Sequence, residues 1–531
     1  MRQKRRFNFA QPVFFSLLLL IGMFLGFKFH VEIGSLLRSK TGNKIDQIFN
    51  LVDKKYVDTV DLKKLESETI EGMLSQLDPH SVYIPAEDVK KSNEDLEGNF
   101  EGIGVEFFIV KDTIYVVSVI PGGPSEKLGI KAGDKIVKVN GKIVAGKKIK
   151  NAEVTGSLRG PSNSFVKISV KRIGIAKLID FNIQRGNVPL NSLDAAYMAA
   201  PGIGYIKINT FAATTYDEFF EGITKLKKQG LKSLILDLRG NPGGYLSAAI
   251  MIADEFLTAK KLIVYTEGKS SPKKEDFATA AGNFEKGKLI VLVDEGSASA
   301  SEIVAGAVQD WDRGIIVGRR SFGKGLVQEQ ALLNDGASLR LTIARYYTPT
   351  GRSIQKPYQD GLDYSADLYN RMRHGELTNA DSINNDAQKQ FKTPSGKIVY
   401  GGGGITPDVF IPLDTSAYSA YYSQVVAEGI LSELCYQFVD NERLSLAKYK
   451  NVDAFVRNFN LPAGFMGNLL KNASAKNIKY VAQEWFRSEK AIRLQAKALI
   501  ARQLFQKEGY YRVMASNDPA YLKSMELLHR N

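Results

Sequence analysis

The pattern of hydrophobic and polar positions divides the 531-residue chain into segments of different periodicity. Residues 7–27 carry no charged side chain, and about 20 apolar residues suffice for a helix to cross a bilayer. Further along, apolar residues such as Ile45 and Ile48 recur at helical spacing. We therefore predict a transmembrane anchor over residues 12–29 and an N-terminal helical region over residues 30–95.

Short alternating runs such as GVEFFIV and TIYVVSVI are separated by Gly and Pro turns, and this pattern predicts a β-rich domain over residues 96–175. In the following segment, apolar strands such as SLILDL and KLIVLVD alternate with helical stretches. This alternation favours an α/β core over residues 176–355. Ahead of the β-rich domain, LDPHSVYIPAEDV (residues 77–89) contains two prolines. It is predicted to be a turn and an extended piece, and we interpret it as a linker packed on a neighbour.

The last third of the chain begins with a polar stretch over residues 356–400, which is predicted to be a surface insertion. Residues 401–413 return to a strand-like pattern and are assigned to the core. Residues 414–531 show helical periodicity with little Gly or Pro and are predicted to form a helical C-terminal region. The expected roles of that region are to form a homo-oligomer, bind an adaptor or cap the core. The predicted fold class is therefore α/β and multidomain.

The net charge of +14 is unevenly distributed. The first forty residues hold seven Lys and Arg against one acid, so nearly half of the surplus surrounds the predicted anchor. Four basic residues precede the apolar segment, which places residues 1–11 in the cytoplasm and the rest of the chain across the membrane. In a bacterium this predicts a single-pass inner-membrane protein with its main part in the periplasm. The remaining surplus is too dilute to indicate a nucleic-acid partner.

We interpret the apolar segment as an uncleaved anchor rather than a cleaved signal peptide. Both have a basic start and an apolar run, but the residues after this run, KFHVEIGSLL, lack a small-x-small cleavage site in the usual place.

The scarcity of Cys and His narrows the chemistry. Cys435 is the sole cysteine, which excludes an intramolecular disulfide framework and any cysteine-based metal centre. The four histidines are scattered and none lies in the predicted α/β segment, which argues against a Ser-His-Asp triad. We predict no metal and no cofactor.

The segment GSASASE (residues 296–302) lies between an apolar strand and a helical pattern. A serine at the start of a helix is well placed for nucleophilic chemistry, because free helix N–H groups stabilise developing negative charge. The residues alone do not select among Ser297, Ser299 and Ser301. Ser299 and Glu302 also fit the S-x-x-E capping box, so a purely structural N-cap is the alternative.

A nucleophilic serine needs a base, and a lysine can serve if burial lowers its pKa. Lys324 in SFGKG is flanked by glycines and lies between two apolar strands.

The same stretch spells G-x-x-x-x-G-K from Gly318 to Lys324. The next residue is Gly325 rather than the Ser or Thr of a P-loop, so we do not assign a nucleotide site.

Five motifs occur in an order that resembles the carboxyl-terminal processing peptidases, a family of tail-specific serine proteases. They are DLRGNPGG (237–244), GSASASEIVAGAVQD (296–310), GRRSFGKGLVQ (318–328), YYTPTGRSIQ (346–355) and GGGITPDV (402–409). The resemblance covers roughly residues 40–412. It implies Ser299 as nucleophile, Lys324 as general base and Gln328 as the residue that orients the lysine. Four positions on a straight strand span about 13 Å, so contact between Lys324 and Gln328 requires a bend, for which Gly325 is the candidate.

The resemblance also implies an oxyanion hole made of backbone N–H groups. The expected donors are Ala300, directly after the nucleophile, and Gly243 of the NPGG turn, with Gly244 as the next choice. Without the family resemblance, the NPGG sequence would be explained equally well as a plain β-turn after a strand.

The β-rich domain resembles a PDZ domain, on the basis of GNFEGIGVEFF and the later GIKAGDKIVKVNGK. The loop Gly102-Ile103-Gly104-Val105 matches that family's carboxylate-binding loop, in which successive N–H groups hold a peptide's C-terminus. Arg159 lies at the end of the second helical segment of this domain. Our hypothesis is that it pairs with an acidic group of the core when a substrate tail is bound, and a solvated turn arginine is the alternative.

Together these features predict a membrane-anchored periplasmic serine endopeptidase that recognises unstructured C-terminal tails of proteins. The alternative is a catalytically inactive PDZ scaffold that binds protein C-termini.

Overall fold

The parts of the chain that the computed structural model describes are residues 44–280, 282–358, 363–383 and 389–530. They belong to two compact units that meet in the sequence between Leu77 and Asp78. In the first unit the structure describes two helices, α1 (Lys44–Lys55) and α2 (Leu62–Leu74). The Asp61 side chain caps α2 by accepting the N–H of Lys64 at 3.2 Å.

The predicted membrane anchor over residues 12–29 lies outside the described residues. Within the described ranges, no helix has both the length and the apolar character needed to cross a bilayer.

The second unit opens with β1 (Val82–Ile84) and α3 (Ala86–Glu97). The chain then forms a β domain. Its elements are β2 (Asn99–Gly102), β3 (Val105–Val110), β4 (Thr113–Val119), α4 (Pro124–Lys127), β5 (Lys135–Val139), β6 (Lys142–Ile143), α5 (Asn151–Leu158), β7 (Phe165–Lys171), β8 (Ile179–Gln184) and β9 (Gly186–Pro189).

One antiparallel sheet with the order β3-β4-β5-β7-β8 forms the body of this domain, with β6 beside β5. The alternation that predicted strands is visible in β7, where Val166 and Ile168 are buried and Lys167 is exposed. The sheet continues to Gln184, beyond the boundary expected at residue 175. β2 pairs antiparallel with β9, so the chain enters and leaves the domain through one two-stranded ladder.

The α/β core follows. Its elements are β10 (Leu193–Ala200), β11 (Ile203–Ile208), α6 (Thr215–Lys228), β12 (Ser233–Asp237), α7 (Leu246–Asp254), β13 (Leu262–Glu267), β14 (Lys274–Phe277), β15 (Lys288–Val293), α8 (Ala300–Asp310), β16 (Ile315–Gly318), β17 (Leu326–Leu332) and β18 (Ser338–Tyr347). The strands and helices predicted from the alternating pattern are thus confirmed.

The central sheet has the order β10-β11-β12-β15-β16, continued at its edge by the short strand at residues 409–410. β10 runs antiparallel to β11, and the other pairs are parallel. Leu234 and Val291 face a core shared with α6, α7 and α8, whereas Ile235 and Ile290 face the opposite side. Both faces of the parallel strands are therefore buried, which explains their continuous apolar runs.

A second sheet has the order β1-β18-β13-β14, and β17 also pairs with β18. β1 adds to β18 in antiparallel register, with Val82 opposite Arg340. The segment 77–89 was expected to be a turn and an extended piece that link two domains; the extended piece is present, but it is a paired strand of a core sheet and not a linker. Its apolar residues Val82 and Ile84 extend a core sheet because they find a strand partner far along the sequence.

The predicted insertion contains α9 (Asp367–Arg373), a 3₁₀ turn (Ala380–Ser382) and a hairpin of β19 (Gln390–Lys392) and β20 (Ile398–Tyr400). It was expected to lie on the surface, but Arg371 is only 5% exposed. Its guanidinium donates to the carbonyl oxygens of Ser321 (3.1 Å) and Arg320 (2.7 Å). The insertion therefore supports the loop between β16 and β17. The core strand expected over residues 401–413 is short, β21 (Val409–Phe410).

The C-terminal region is helical, as predicted. Its helices are α10 (Ala420–Ala427), α11 (Ile430–Asn441), α12 (Arg443–Leu446), α13 (Val452–Asn458), α14 (Ala463–Ala475), α15 (Ala482–Met514) and α16 (Pro519–His529), with a 3₁₀ turn (Ala515–Asn517) before the last. Helix α15 is kinked at Phe505 and Gln506, which leave helical geometry.

This region packs on both the α/β core and the β domain. Ala520 and Leu528 of α16 pack on the face of the central sheet that carries Ile235 and Ile290. In the β domain, Tyr115 stacks on Tyr436 of α11 with ring centroids 5.7 Å apart. Of the roles expected for the C-terminal region, capping of the core is therefore visible in the structure.

Candidate active site

The junction between β15 and α8 distinguishes the three serines of GSASASE. The Ser297 hydroxyl donates to the Leu238 carbonyl oxygen at 2.9 Å, and the Ser301 hydroxyl donates to that of Asn241 at 3.0 Å. Both serines are fully buried and hold neighbouring loops together. Ser299 is only half-buried and lines a cavity of about 1480 Å³. It is therefore the one serine of the three that is open to a ligand.

Ser299 occupies the N-cap position of α8 with φ 54° and ψ −112°. Positive φ is unusual for a residue with a Cβ atom, and such strain is typical of functional sites. The Ser299 side chain makes no cap hydrogen bond. The sharp turn thus presents the hydroxyl to the cavity, at the end of a helix whose N–H groups favour negative charge.

Lys324 and Gln328 meet directly. Lys324 lies in the loop between β16 and β17, and its Nζ donates to Gln328 Oε1 at 2.9 Å. The bend that this contact requires comes from the loop before Leu326, where β17 begins, and from an irregularity in the β17–β18 register at Gln328. Both side chains line the same cavity as Ser299.

The environment of Lys324 shifts its titration towards the neutral form. Burial lowers the pKa of Lys324 from its usual value, and the positive charge of Arg340 lowers it further. The carboxylates of Asp78 and Glu302 act in the opposite direction. A lysine whose pKa is depressed by burial can accept a proton, which an ordinary surface lysine does poorly at neutral pH.

The Glu302 carboxylate connects the serine loop to the lysine loop. It is fully buried and accepts the backbone N–H groups of Ser299 (2.8 Å), Gly323 (2.7 Å) and Lys324 (2.9 Å). It also accepts the Ser321 hydroxyl at 2.5 Å. Burial raises the pKa of Glu302 to about 7, while these hydrogen bonds oppose the rise. One side chain thus sets the spacing of both loops.

A second connection between the two loops comes from β18. The hydroxyl of Tyr346, which is 1% exposed, lies within hydrogen-bond reach of the carbonyl oxygens of both Ser299 and Lys324. A hydroxyl has one proton, so it donates to one of them at a time. The backbone around Ser299 and Lys324 is therefore held from two directions.

The NPGG turn packs against Ser299. Gly243 has φ 100°, and a Cβ at this position would lie 2.7 Å from the Cβ of Ser299. The Gly243 N–H donates to Asn241 Oδ1 at 2.9 Å. Among the described residues, the N–H groups of Ala300 and Gly244 have no hydrogen-bond partner. Both residues line the cavity, so these two N–H groups remain available to a ligand.

The predicted carboxylate-binding loop lies between β2 and β3. Ile103 is buried in a core shared with Val154 and Leu158 of α5. Gly104 has φ 77°, and a Cβ there would come within 3.1 Å of the Gly123 backbone. β3, which begins at Val105, lies at the edge of its sheet. An open strand edge beside a glycine-containing loop is the geometry by which an extended peptide can be added.

Arg159 follows α5 and forms an ion pair with Glu94. Its guanidinium also lies 4.3 Å from the centroid of the Phe100 ring. Glu94 belongs to α3, so the partner of Arg159 in this structure is not on the α/β core. The solvated turn arginine that we considered does not describe this contact.

Four sequence families match parts of the chain. Their descriptions are an activating protease CtpB N-terminal domain (residues 32–88), a PDZ domain (115–172), peptidase family S41 (202–363) and a family of unknown function (421–506).

Two related proteins extend the match beyond single domains. The carboxy-terminal processing protease CtpB of Bacillus subtilis (strain 168) is 37% identical over 322 residues, which are 60% of this chain and 66% of that protein. The carboxy-terminal-processing protease of Bartonella bacilliformis (strain ATCC 35685 / KC583 / Herrer 020/F12,63) is 39% identical over 317 residues, 59% of this chain and 72% of that protein. The chain belongs to peptidase family S41.

The family assignment classes this S41 peptidase with the serine-type peptidases. The chain spans just under two thirds of the Bacillus protein's length, at 66%. Among solved structures, a photosystem II D1 C-terminal processing protease is similar over 69% of this chain and 92% of its own, with 26% identity and a TM-score of 0.35.

Two features of this S41 peptidase were not found by sequence reasoning. Glu302 was recognised as half of a capping box, but its bonds to the lysine loop were not foreseen. The turn at residues 78–81 was assigned to a linker, yet the His80 carbonyl oxygen accepts the side-chain amide of Gln328. The position of Glu302 directly after the serines was a usable signal for its role, whereas no local sequence pattern indicated His80.

The G-x-x-x-x-G-K stretch of this S41 peptidase is followed by strand β17 and not by a helix. A P-loop places its phosphate at the start of a helix. The loop therefore serves to present Lys324, and the decision against a nucleotide site is consistent with the structure.

Proposed function

We propose that this protein is a serine endopeptidase in which Ser299 is the nucleophile and Lys324 the general base. The observation that carries the proposal is the Lys324–Gln328 hydrogen bond of 2.9 Å, in the cavity that Ser299 also lines. Lys324 has a lowered pKa, is held by a neutral amide and lines the same cavity as Ser299, and these are the properties expected of a base for that serine.

In the proposed reaction, neutral Lys324 takes the proton of the Ser299 hydroxyl as its oxygen attacks a peptide carbonyl carbon. Collapse of the tetrahedral intermediate breaks the C–N bond, and Lys324 returns the proton to the leaving amine. Water then attacks the ester, again losing a proton to Lys324, and Ser299 is released with its proton restored. Gln328 accepts one N–H of Lys324 and so directs the nitrogen lone pair.

We propose that the oxyanion is stabilised by the N–H groups of Ala300 and Gly244. The prediction from the motif named Gly243 first. The Gly243 N–H donates to Asn241 Oδ1 at 2.9 Å, which favours its neighbour Gly244 as the donor. Gly243 is then required because it has no side chain, since a Cβ there would collide with Ser299. Preorganised backbone donors of this kind act without reorganisation during the reaction.

The proposed substrates are proteins with unstructured C-terminal tails. Residues 102–105 would hold the terminal carboxylate, and the tail would pair with the open edge of β3. The cavity that contains Ser299 also reaches the β domain at Glu106 and at residues 117–121. A tail bound in the β domain and a chain segment at Ser299 can therefore belong to one substrate molecule.

We also propose that residues 12–29 anchor the protein in a bacterial inner membrane, with the peptidase in the periplasm. The support is the uncharged stretch of residues 7–27 with basic residues before it.

The test uses the full-length protein in detergent and an unstructured protein that ends in apolar residues. Wild type is compared with Ser299→Ala, Lys324→Ala and Lys286→Ala, the last an exposed lysine outside the cavity. We expect cleavage by wild type and Lys286→Ala, and a loss on the order of 10³-fold or more in the other two. Equal cleavage by all four proteins would contradict the proposed Ser299–Lys324 pair. Tail binding without cleavage by any of them would favour the inactive scaffold.

A further inference from the structure

The turn at residues 78–81 is folded around one buried carboxylate. Asp78 is 8% exposed, and its Oδ1 accepts the N–H groups of His80 (2.8 Å) and Ser81 (2.9 Å). Its Oδ2 accepts the Ser81 hydroxyl at 2.6 Å. The hydrogen bonds hold the pKa of Asp78 below its usual value although burial raises it. The carboxylate thus fixes the backbone of the whole turn.

The same carboxylate attaches the turn to the strand opposite Gln328. The Thr342 hydroxyl donates to Asp78 Oδ1 at 3.1 Å, and the Thr342 N–H donates to the Ser81 hydroxyl oxygen at 3.1 Å. In the β17–β18 ladder, Thr342 is the register partner of Gln328. The turn is therefore placed directly beside the Gln328 side chain.

The turn determines which way the Gln328 amide faces. Gln328 Nε2 donates to the His80 carbonyl oxygen, and Gln328 Oε1 accepts from Lys324 Nζ. An amide flipped by 180° would place its oxygen against the His80 carbonyl oxygen, and two acceptors cannot form a hydrogen bond. The His80 carbonyl therefore selects the orientation in which an acceptor faces the lysine.

The polar insertion holds the His80 ring from the other side. His80 Nε2 lies 2.9 Å from the Tyr364 hydroxyl, and the two rings are in edge contact at 5.3 Å. Burial and the charge of Lys324 lower the pKa of His80 to about 4, so the ring is neutral at neutral pH. The ring is thus a packing group, and the carbonyl is the part of His80 that reaches Gln328.

We propose that Asp78 is a positioning residue of the peptidase, which acts through the His80 carbonyl to orient the Gln328 amide and thereby Lys324. This inference rests on the proposed function, because it assigns Lys324 the part of the base. Asp78 itself does not touch the reacting atoms in this mechanism. The insertion contributes to the same arrangement through Tyr364.

The pKa of Lys324 depends on the charges around it. A change in that pKa therefore distinguishes an effect of Asp78 on the lysine from a merely structural role. These charges are those of Arg340 on β18, which lowers the pKa, and of Asp78 and Glu302, which raise it, while His80 is neutral. Removing the charge of Asp78 should lower the pKa of Lys324 further. Since the base must be neutral, the acid limb of kcat/KM should then move to lower pH.

The first experiment is a double-mutant cycle of Asp78→Ala and Gln328→Ala in the full-length protein. We expect each single variant to lower kcat by about 10- to 100-fold with little change in KM, because a misplaced base lowers the rate without removing binding contacts. The double variant should be no slower than Gln328→Ala alone within about twofold, since Asp78 acts through that amide. Losses that multiply in the double variant would overturn the proposal.

The second experiment does not depend on turnover. Competitive acetylation of Lys324 across pH, read by mass spectrometry, reports its pKa in wild type and in Asp78→Asn. Asparagine retains an oxygen that can accept the two backbone N–H groups, so this variant keeps the turn better than alanine does. The matched control is Asp414→Asn, at another turn where an aspartate accepts a backbone N–H, that of Ser416 at 2.8 Å.

We expect the pKa of Lys324 to fall in Asp78→Asn and to stay unchanged in Asp414→Asn. An unchanged value in Asp78→Asn would overturn the proposal even if activity were lost. Failure of the proposed function has a different signature. Wild type would then cleave no better than Ser299→Ala, while the acetylation of Lys324 would still report whether Asp78 controls the lysine.

Discussion

The Glu302 carboxylate accepts the backbone N–H of Lys324 at 2.9 Å, although 22 positions separate the two residues in the chain. The same carboxylate accepts the N–H of Ser299, three positions before it. The proposed nucleophile and base are therefore positioned by a common group that itself lies outside the cavity lining. Any change in Glu302 should disturb both loops together.

Replacing Glu302 by glutamine should lower kcat by about 10- to 100-fold. Glutamine offers one acceptor oxygen, and its NH₂ group would face N–H donors that the carboxylate now accepts. We expect the variant to lose about 2 kcal/mol or more in free energy of unfolding, because buried donors are left without partners. Peptidase kinetics and urea unfolding measure the two effects. Glu428→Gln, an exposed glutamate, should change neither.

Glu302 should also give the stability a pH dependence. Burial raises the pKa of Glu302 from its usual 4.5 to about 7 in the folded protein, so folding favours the protonated form. This contribution is fully present below about pH 4.5 and is lost as the pH rises through about 7. Urea unfolding at a series of pH values should show this decline in wild type. A decline of the same size in Glu302→Gln would assign it to other groups.

Arg340→Gln should move the acid limb of kcat/KM to higher pH. The positive charge of Arg340 lowers the pKa of Lys324, so its removal raises that pKa and leaves more of the lysine protonated at a given pH. Arg340→Lys keeps the charge and should keep the limb in place. The measurement is kcat/KM across pH for the three proteins. A limb that stays fixed or moves to lower pH in Arg340→Gln would contradict this account of the lysine's environment.

Gly243→Ala should abolish activity, whereas Gly240→Ala in the preceding turn should leave most of it. A Cβ at Gly243 would lie 2.7 Å from Ser299 Cβ and 2.8 Å from the Ala298 carbonyl oxygen. Gly240 also has positive φ, but a Cβ there meets nothing within 4 Å. Alanine at position 240 therefore brings only the backbone strain, about 1–2 kcal/mol. Thermal unfolding of both variants separates loss of the site from loss of the fold.

The features predicted well from sequence are those encoded locally. Residues 234–236 and 289–293, in two neighbouring strands, are continuous apolar runs because both faces of the central sheet are buried. The motif resemblance supplied Lys324 and Gln328 together, and the structure joins their side chains. Periodicity and motif order are properties of neighbouring residues, so one sequence suffices to recognise them.

The features that sequence reasoning missed depend on distant residues. The contact between Gln328 and His80 joins residues 248 positions apart, and no local sequence pattern predicts it. The residues alone left three serines open and the family resemblance implied Ser299, whereas in the structure burial separates them, since Ser297 and Ser301 are fully buried. The same holds for Arg371, whose polar neighbours suggested a surface segment although its guanidinium is buried against the lysine loop.

An ion pair joins the last helix to the core in addition to its apolar packing. Asp518 accepts two hydrogen bonds from the Arg239 guanidinium, at 3.0 and 2.6 Å. It also caps α16 by accepting the N–H groups of Ala520 and Tyr521. Asp518→Ala should therefore remove a helix cap and a paired charge together. Because Arg239 keeps its second partner Asp237, no charge is left unpaired, and we expect a loss of about 2 kcal/mol.

The loss should appear first in α16 itself. Hydrogen exchange in residues 519–529 should become faster in Asp518→Ala, and urea unfolding should shift to lower denaturant. Asp453→Ala is the matched control, since Asp453 pairs with Arg512 at 2.8 Å but its side chain is 64% exposed. Such exposed pairs contribute about 1 kcal/mol or less. Equal effects of the two substitutions would mean that the packing of Ala520 and Leu528, and not the aspartate, holds α16 on the sheet.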